Sequence, residues 1–323
     1  MDNIQPISKP RVSVIIPAYN TAPLIGSCLD SVFSQTYLDF EVLVVNDGSS
    51  DTKQLEQVLQ KYASRLVYIK QENKRAAGAR NTAIREARGE FVAFLDSDDI
   101  WFPDHLASQM AFLDQNPSFD MVYSDSLLGV DAGSHTRFME RCPSHGPVTF
   151  AALVVERCQV SISTVVVRKT AIVKAGLFDE SLARCDDYDM WLRAAWHGAR
   201  IGYTHRVQAR LNEGRPGSLG QSRLKMAQAY WQILEKTGAF PLSASDREVV
   251  QQRIREIRAR CLFEEGKSEL LARRFERART LFFEANQHWR APKLTLALFG
   301  LKVAPAMASR LITFRSRIQR GVA

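Results

Sequence analysis

The chain has 323 residues, of which 46% are hydrophobic, 24% charged and 9% aromatic. This composition is typical of a globular protein, and it excludes a collagen-like chain, an intrinsically disordered protein and a small disulfide-rich domain. The net charge of +8 is concentrated near the C-terminus: residues 1–245 carry 26 basic and 27 acidic side chains, and residues 246–323 carry 17 and 8. A neutral body with a basic end argues against a nucleic-acid-binding protein, which would be basic over its binding surface.

Short apolar runs alternate with helical patterns through the first 100 residues. The runs are rich in β-branched or aromatic side chains and end at turn-forming residues, as buried strands do. They cover residues 12–16, 41–45, 66–69 and 91–95. Helical periodicity predicts helices over residues 22–35, 51–63 and 77–87. This repetition predicts an α/β fold with a Rossmann-like, mainly parallel sheet flanked by helices, in which ligands bind beyond the carboxyl ends of the strands.

The pattern changes beyond residue 103. Helices are predicted over residues 104–114 and 186–195, strands over 121–123 and 164–167, and a surface loop over 129–146. From residue 220 the pattern is almost entirely helical, with segments at 220–237, 246–265, 268–287 and a basic stretch to 320. Residues 266–286 weakly resemble one tetratricopeptide-type hairpin, but one unit is not an array, and ordinary helix packing is the favoured explanation. The chain is therefore predicted to divide into a catalytic domain, residues 1–218, and a helical C-terminal region, residues 219–323.

Three carboxylates lie within four residues directly after the fourth predicted strand, at Asp96, Asp98 and Asp99. Like charges so close together destabilise a fold unless something neutralises them. Mg²⁺ and Mn²⁺ prefer oxygen ligands and often bind through one or two protein carboxylates together with phosphate oxygens. The cluster therefore predicts a divalent cation that carries a diphosphate. The alternative is a turn at the strand end in which Asp99 caps the next segment.

Polar residues also follow the first two predicted strands, so they are expected at the same edge of the sheet. Tyr19 is suited to lie beside a nucleobase, and Asp47 is suited to accept hydrogen bonds from a base or a ribose. A simpler interpretation, a turn followed by a helix cap, suits Asn20 and residues 48–52.

Charged residues mark the beginning of two predicted helices. Arg80 is placed to pair with a phosphate or with the carboxylates of residues 96–99, or else it is an ordinary surface arginine. Asp186 and Asp187 begin the other helix, where the helix dipole favours acids. Asp187 is also suited to act as a general base toward an acceptor hydroxyl. Neither a dinucleotide-binding fingerprint nor a P-loop occurs in the chain.

In their order and spacing these segments resemble glycosyltransferase family 2, a family of inverting enzymes with the GT-A fold. The matching segments are VSVIIPAYN (12–20), VVNDGSSD (44–51), AGARNTAI (77–84), FLDSDD (94–99), LFDESL (177–182) and CDDYDMWLRAA (185–195). The resemblance implies an enzyme that moves a hexosyl or N-acetylhexosaminyl group from a nucleotide sugar, most often a UDP-sugar, to a glycan or lipid-linked glycan. The nucleotide-sugar half would span about residues 1–125 and the acceptor half about residues 126–218.

The resemblance also implies a role for each matching residue. Asp98 corresponds to the metal-binding acid of the Asp-x-Asp motif, and Asp96 would face the metal, Mn²⁺ or Mg²⁺, or the ribose. Asp47 would contact the nucleobase, Arg80 would lie near the phosphates, and Asp187 corresponds to the base that activates the acceptor. The other implied donor contacts are Pro17, Tyr19, Asn20 and Ser97, and the implied phosphate or acceptor contacts are Asp186, Trp191 and Arg215.

The chain departs from the family pattern at three places. Asn46 stands where an aspartate is common, and Asp186 stands where a glutamate is usual. Residues 209–218 lack a histidine that often helps to bind metal or phosphate. Arg215 is suited to replace that histidine by neutralising charge directly. The second interpretation is therefore a nucleotide-sugar-binding or scaffold protein of the same fold with little or no catalytic activity.

The N-terminal and cysteine patterns predict a reduced, cytoplasmic protein. The first eleven residues are polar and contain proline, which predicts no signal peptide, and the five cysteines form no zinc-binding pattern. The basic residues 289–320 include seven Lys or Arg and no acid beside an apolar set. Such a segment either lies at the inner face of the cell membrane or packs its apolar face on the protein.

Overall fold

A computed structural model of the chain describes residues 9–129, 136–213 and 222–303. The chain divides into two compact units, Met1–Ser218 and Leu219–Ala323. The first unit contains a sheet flanked by helices, and the described part of the second unit consists of helices.

Among the described residues, eight strands form one sheet in the order β3-β2-β1-β4-β7-β6-β8-β5. The strands are β1 (Val12–Ala18), β2 (Phe40–Asp47), β3 (Val67–Gln71), β4 (Phe91–Phe94), β5 (Ile100–Trp101), β6 (Met121–Leu128), β7 (Val165–Arg168) and β8 (Ile201–Leu211). Strands β3, β2, β1 and β4 are mutually parallel. Strand β7 is antiparallel to both β4 and β6, β8 is parallel to β6, and β5 is antiparallel to β8. The predicted mainly parallel α/β sheet is thus confirmed.

Helices in the first unit connect the strands and cover the sheet. They are α1 (Ala22–Phe33), α2 (Thr52–Leu59), α3 (Arg75–Glu86), α4 (His105–Gln115), α5 (Phe138–Arg141), α6 (Phe150–Val154), α7 (Lys169–Lys174) and α8 (Asp186–Trp196). Helix α1 buries Ile25, Leu29 and Val32, which lie on one face, in a cluster that includes Val14 and Val44 of the sheet. The carboxyl ends of β1, β2 and β4 therefore meet at one edge, where the site residues follow them.

Two expectations about the first unit are wrong in detail, and one strand is not predicted. The run at 66–69 is predicted as a buried strand, but β3 is an edge strand with Val67 half-exposed. Strand β8 escapes sequence analysis because its residues, IGYTHRVQARL, include too many polar side chains for a continuous apolar run. Within the loop expected at 129–146, the described part contains the short helix α5.

The second unit contains α9 (Arg223–Gly238), α10 (Ala244–Leu271), α11 (Phe275–Trp289) and α12 (Pro292–Val303). Helix α10 is continuous where a break at 265–268 is predicted. Gly266 lies inside this helix. A Cβ at this position would come within 2.8 Å of the Phe282 ring, so the glycine allows α10 and α11 to pack closely. In the parts of the chain that the structure describes, no helix combines the length and the apolar character needed to cross a bilayer.

Candidate active site

The loops that follow β1 and β2 are joined through Asn20. Its backbone has a φ of 54°, a left-handed conformation that asparagine tolerates better than most residues. The backbone N–H of Asn20 donates to Ser49 Oγ over 3.1 Å, and Asn20 Oδ1 accepts from the backbone N–H of Ser50 over 2.8 Å. Beside it, Pro17 is half-buried, and the Tyr19 side chain is half-exposed at the edge of the sheet. Asn20 thus holds the two loops together and leaves the tyrosine ring accessible.

Asp47 ends β2 and is buried. Its Oδ1 accepts hydrogen bonds from Gln71 Nε2 over 2.6 Å and from the Lys74 amide over 2.8 Å. These bonds connect the end of β2 to the end of β3 and to the beginning of α3. The structure therefore places Asp47 at the predicted edge and holds its carboxylate in a fixed orientation.

The three acids after β4 lie in different environments. Asp96 and Asp98 are half-buried, and Asp99 is buried. Ser163 Oγ donates to Asp99 Oδ2 over 2.5 Å, and the Asn212 amide donates to Asp99 Oδ1 over 2.8 Å. Burial, with the negative charges of Asp96 and Asp98, raises the pKa of Asp99 well above its usual value. Asp99 therefore fastens this loop to the end of β8, and Asp96 and Asp98 are the more accessible carboxylates.

Ser97 lies between the two accessible acids and is buried. Its hydroxyl donates to Thr21 Oγ1 over 2.9 Å, and Thr21 precedes the first helix. The loop after β4 is thereby attached to the loop after β1. The Ser97 hydroxyl therefore already donates a hydrogen bond within the protein. A contact between Ser97 and the nucleotide sugar would have to use the same hydroxyl.

Arg80 joins two acidic segments that are distant in sequence. Its Nη2 donates to Asp96 Oδ1 over 2.7 Å, and its Nη1 donates to Asp186 Oδ2 over 2.6 Å. Buried small residues around it on α3, Ala77, Gly78 and Ala79, let that helix pack closely enough to bury the guanidinium. The interpretation of Arg80 as a surface arginine is wrong, and the predicted pairing with an acid of residues 96–99 is confirmed for Asp96.

Asp187 lies in the first turn of α8, beside the ion pair. The Tyr188 amide donates to Asp187 Oδ1 over 2.8 Å. Burial and the negative charge of Asp186 raise the pKa of Asp187 to about 6, and the positive charge of Arg80 opposes this shift. A carboxylate of this kind is mostly ionised at neutral pH and has a higher proton affinity than an ordinary aspartate, so it is chemically suited to accept a proton.

Two of the residues predicted as phosphate or acceptor contacts, Trp191 and Asp186, are buried. Trp191 is 1% exposed, and its ring packs against Phe94 and Phe178, with 6.3 Å between centroids in each pair. It lies one turn after Asp187 on the face of α8 that meets the sheet, so it belongs to the core. Asp186 is buried and paired with Arg80, and its predicted contact with a phosphate or acceptor stays a prediction. Arg215 lies outside the described residues.

Sequence reasoning missed Ser163, which organises the acidic loop. Its Oγ accepts from the Asp96 amide over 3.1 Å while it donates to Asp99. Ser163 lies in a single 3₁₀ turn, Ile162–Thr164, before β7. No local pattern distinguishes this serine, because its role depends on β7 lying next to β4 in the sheet.

The carboxylates after β4 suit a divalent cation chemically. Asp96 and Asp98 provide oxygen donors, although one oxygen of Asp96 already accepts from Arg80. The described residues contain no group of three or more His, Cys, Asp or Glu side chains arranged to hold a metal ion. Mg²⁺ is usually bound by one or two carboxylates together with substrate phosphates.

Comparisons with known proteins identify related sequences and related folds. The Glycosyl transferase family 2 model matches residues 13–143. The Escherichia coli enzyme WfgD, a UDP-Glc:α-D-GlcNAc-diphosphoundecaprenol β-1,3-glucosyltransferase, is 34% identical over 188 residues, which cover 56% of this chain and 68% of WfgD.

Two solved structures share the fold over nearly the whole chain. Staphylococcus aureus TarS 1–349 with UDP-GlcNAc has a TM-score of 0.63 and 21% identity, covering 96% of this chain and 92% of TarS 1–349. The Pyrobaculum calidifontis mannosyltransferase PcManGT with GDP-Man and Mn²⁺ has a TM-score of 0.64 and 22% identity, covering 96% and 85%.

The fold is GT-A, and the protein is a glycosyltransferase. The chain belongs to glycosyltransferase family 2, as its motifs predict.

Proposed function

We propose that this glycosyltransferase inverts the anomeric centre as it moves a hexosyl or N-acetylhexosaminyl group from a UDP-sugar to a hydroxyl of a glycan or lipid-linked glycan. The bridge from Asp96 through Arg80 to Asp186 carries the proposal. A single guanidinium thus contacts both the loop of the Asp-x-Asp motif and the helix turn that contains Asp187. Asp96, the proposed donor-binding acid, and Asp187, the proposed proton acceptor, are thus linked through one buried arginine, which supports a common site for both.

The donor would lie across the carboxyl ends of β1, β2 and β4, in the half of the first unit that spans about residues 1–125. Asp47 would accept hydrogen bonds from the base, and the accessible ring of Tyr19 would lie beside it, with Pro17 and Asn20 shaping the loop. UDP is the proposed nucleotide because WfgD is named for UDP-Glc and TarS was solved with UDP-GlcNAc. PcManGT was solved with GDP-Man, so a GDP-sugar is the main competitor.

A divalent cation, Mn²⁺ or Mg²⁺, would be held by Asp98 with Asp96. PcManGT was solved with Mn²⁺, and the carboxylate oxygens here suit either ion. When bound, such an ion neutralises negative charge that develops on the leaving nucleoside diphosphate. Arg80 would keep Asp96 oriented toward the site, and Ser163 would hold the backbone of the same loop.

Asp187 would accept the proton of the acceptor hydroxyl while that oxygen attacks the anomeric carbon opposite the leaving diphosphate. A new C–O bond forms, the bond to the diphosphate breaks, and a single displacement inverts the centre. The acceptor would lie in the half that spans about residues 126–218. A lipid-linked acceptor is proposed because WfgD is named for a GlcNAc-diphosphoundecaprenol acceptor.

A donor panel tests the proposal. Binding of UDP-, GDP- and dTDP-sugars to the purified chain is measured by thermal shift, with Mn²⁺, with Mg²⁺ or with a chelator. Turnover is measured under the same conditions as release of the nucleoside diphosphate, in the presence of a GlcNAc-diphospholipid acceptor. The expected result is cation-dependent binding of a UDP-sugar and a product with inverted anomeric configuration. Turnover with GDP-sugars alone would contradict the donor assignment. Binding of a UDP-sugar without turnover on any acceptor would favour the non-catalytic scaffold.

A further inference from the structure

Helix α12 has apolar side chains on two opposite faces. Leu294 and Leu301 are buried in a cluster with Phe282 of α11. Leu296, Phe299 and Val303 are 72%, 65% and 67% exposed. Their spacing of three and four residues places these three side chains along one stripe of the helix. Packing on α11 therefore explains one apolar face of α12 and leaves the other without cover from the described residues.

The exposed stripe continues onto α11. Phe283 is 56% exposed, and a groove of about 410 Å³ lies between the two helices. The groove is lined by Arg279, Thr280, Phe283, Leu298, Phe299 and Lys302. We call Phe283, Leu296, Phe299 and Val303, with the flanking cations Lys293 and Lys302, the α11–α12 patch. Large apolar side chains exposed next to one another mark interaction sites.

The charge on the α12 side of the patch is positive. Lys293 and Lys302 are exposed, and neither forms an ion pair with a described residue. Arg279 in the groove is bound to Glu276. Beyond Glu284 the sequence has seven Lys or Arg and no acid up to residue 323. A partner for this patch must therefore combine an apolar interior with an anionic surface.

We propose that the α11–α12 patch binds the surface of an anionic lipid membrane. The alternatives fit the charges less well. A second copy that presents the same patch would double the number of cations at the interface, and the patch itself has no anion to neutralise them. The chain's own residues 304–323 carry four arginines and no acid, so they would also repel the patch. Lipid phosphates supply the missing anions, and acyl chains accept Leu296 and Phe299.

The patch would lie in the membrane interface and not cross it. The described part of α12 has 12 residues, about 18 Å of helix, against a hydrocarbon core of about 30 Å. An interfacial helix buries its apolar face about 5–10 Å deep while cations beside it contact headgroups. This inference goes beyond the proposed function and depends on neither the donor nor the base. If that function is also correct, the patch would hold the enzyme at the surface where lipid-linked acceptors are found.

Vesicle flotation of the full chain tests the proposal. Vesicles of phosphatidylcholine alone are compared with vesicles that also contain phosphatidylglycerol, at low and high salt. We expect binding only to the anionic vesicles and weaker binding at high salt, because salt screens exposed charges. The double variant Leu296→Ser/Phe299→Ser should partition at least about tenfold more weakly, because both apolar side chains are lost. Lys293→Gln/Lys302→Gln should partition about 25-fold more weakly, about fivefold for each cation removed.

Two matched controls separate the patch from general effects. Leu271→Ser removes a leucine that is 69% exposed at the end of α10, outside the patch. Arg255→Gln/Arg260→Gln removes the same charge from exposed positions of α10. Both controls should float like the unchanged protein, and matched melting curves would verify that every variant is folded.

Three results would overturn the proposal. The first is failure of the unchanged protein to bind anionic vesicles. The second is equal loss of binding in patch and control variants, which would mean that net charge or general surface apolarity is responsible. The third is unchanged flotation of the patch variants with conversion of a dimer to a monomer, which would assign the patch to self-association. Flotation needs no sugar transfer, so failure of the proposed function leaves this test intact.

Discussion

Arg80 and Asp186 are 106 residues apart in the chain and form a buried ion pair, in which Nη1 donates to Oδ2 over 2.6 Å. The second terminal nitrogen of the same guanidinium binds Asp96. One arginine of α3 thus fixes the loop after β4 relative to the first turn of α8. Because Asp187 directly follows Asp186, this pair also sets the position and the charge environment of the proposed base.

Arg80→Gln should reduce the free energy of unfolding by about 3–5 kcal/mol, because it leaves the buried Asp186 carboxylate without its partner. Arg80→Lys should recover only part of this loss, since a single ammonium cannot reproduce the fork that reaches two carboxylates. Urea unfolding at neutral pH measures both changes. Arg85→Gln is the matched control on the same helix, because Arg85 is exposed and its contact with Glu180 is 3.7 Å long. Equal stability of the Arg80→Gln and Arg85→Gln variants would show that the buried pair contributes nothing.

The pH dependence of turnover should report on Asp187. Its pKa is raised to about 6 by burial and by Asp186, and the base must be ionised to accept a proton. The value of kcat/KM should therefore be level above about pH 6 and fall about tenfold for each pH unit below it.

Two variants should move this acidic limb in opposite directions. The charge of Asp186 raises the pKa of Asp187 and that of Arg80 lowers it, so Asp186→Asn should shift the limb to lower pH and Arg80→Gln should shift it to higher pH. The pH–rate profiles of folded variants measure both shifts. A limb that moves in neither variant would mean that another group titrates.

Local patterns predicted much of the fold, and pairing between distant segments explains what they missed. The strands β1, β2 and β4 are recognisable because each is a continuous apolar run ended by turn residues. The position of β7 between β4 and β6 depends on which strands pair, which local periodicity does not encode. The same limit applies to the site. The side chain of Asp47 is placed by its own strand, whereas the role of Ser163 arises only where two strands meet.

Asp98→Asn should remove the cation dependence of donor binding. Of the two accessible acids, Asp98 is the proposed main ligand because it corresponds to the metal-binding acid of the Asp-x-Asp motif. Isothermal titration measures the affinity for the nucleotide sugar that the panel identifies, with and without Mn²⁺. In the presence of Mn²⁺ the variant should bind it more than about tenfold more weakly than the unchanged protein does, since even residues that only support metal ligands contribute that much. Unchanged affinity and an unchanged response to Mn²⁺ would contradict the assignment.

Trp191 should influence stability and not acceptor affinity. Trp191→Ala should lower the free energy of unfolding by about 3–5 kcal/mol, because it opens a cavity between Phe94 and Phe178. Trp191→Phe keeps most of the packing and should leave the acceptor KM unchanged in a steady-state assay. A large rise of the acceptor KM in the folded Trp191→Phe variant would show that Trp191 contributes to acceptor binding.

Asp187→Asn should reduce kcat by about 10²–10⁴-fold, the usual contribution of a well-placed general base. The asparagine side chain keeps the shape of the aspartate and can still accept a hydrogen bond from the backbone N–H of Tyr188. It does not take up a proton at neutral pH. Donor affinity, measured by calorimetry, should stay within a few-fold of the unchanged protein, since the proposed donor contacts lie on other loops. Asp104→Asn, at an exposed position before α4, is the control for the loss of one carboxylate. Turnover of Asp187→Asn equal to that of Asp104→Asn would require a different proton acceptor.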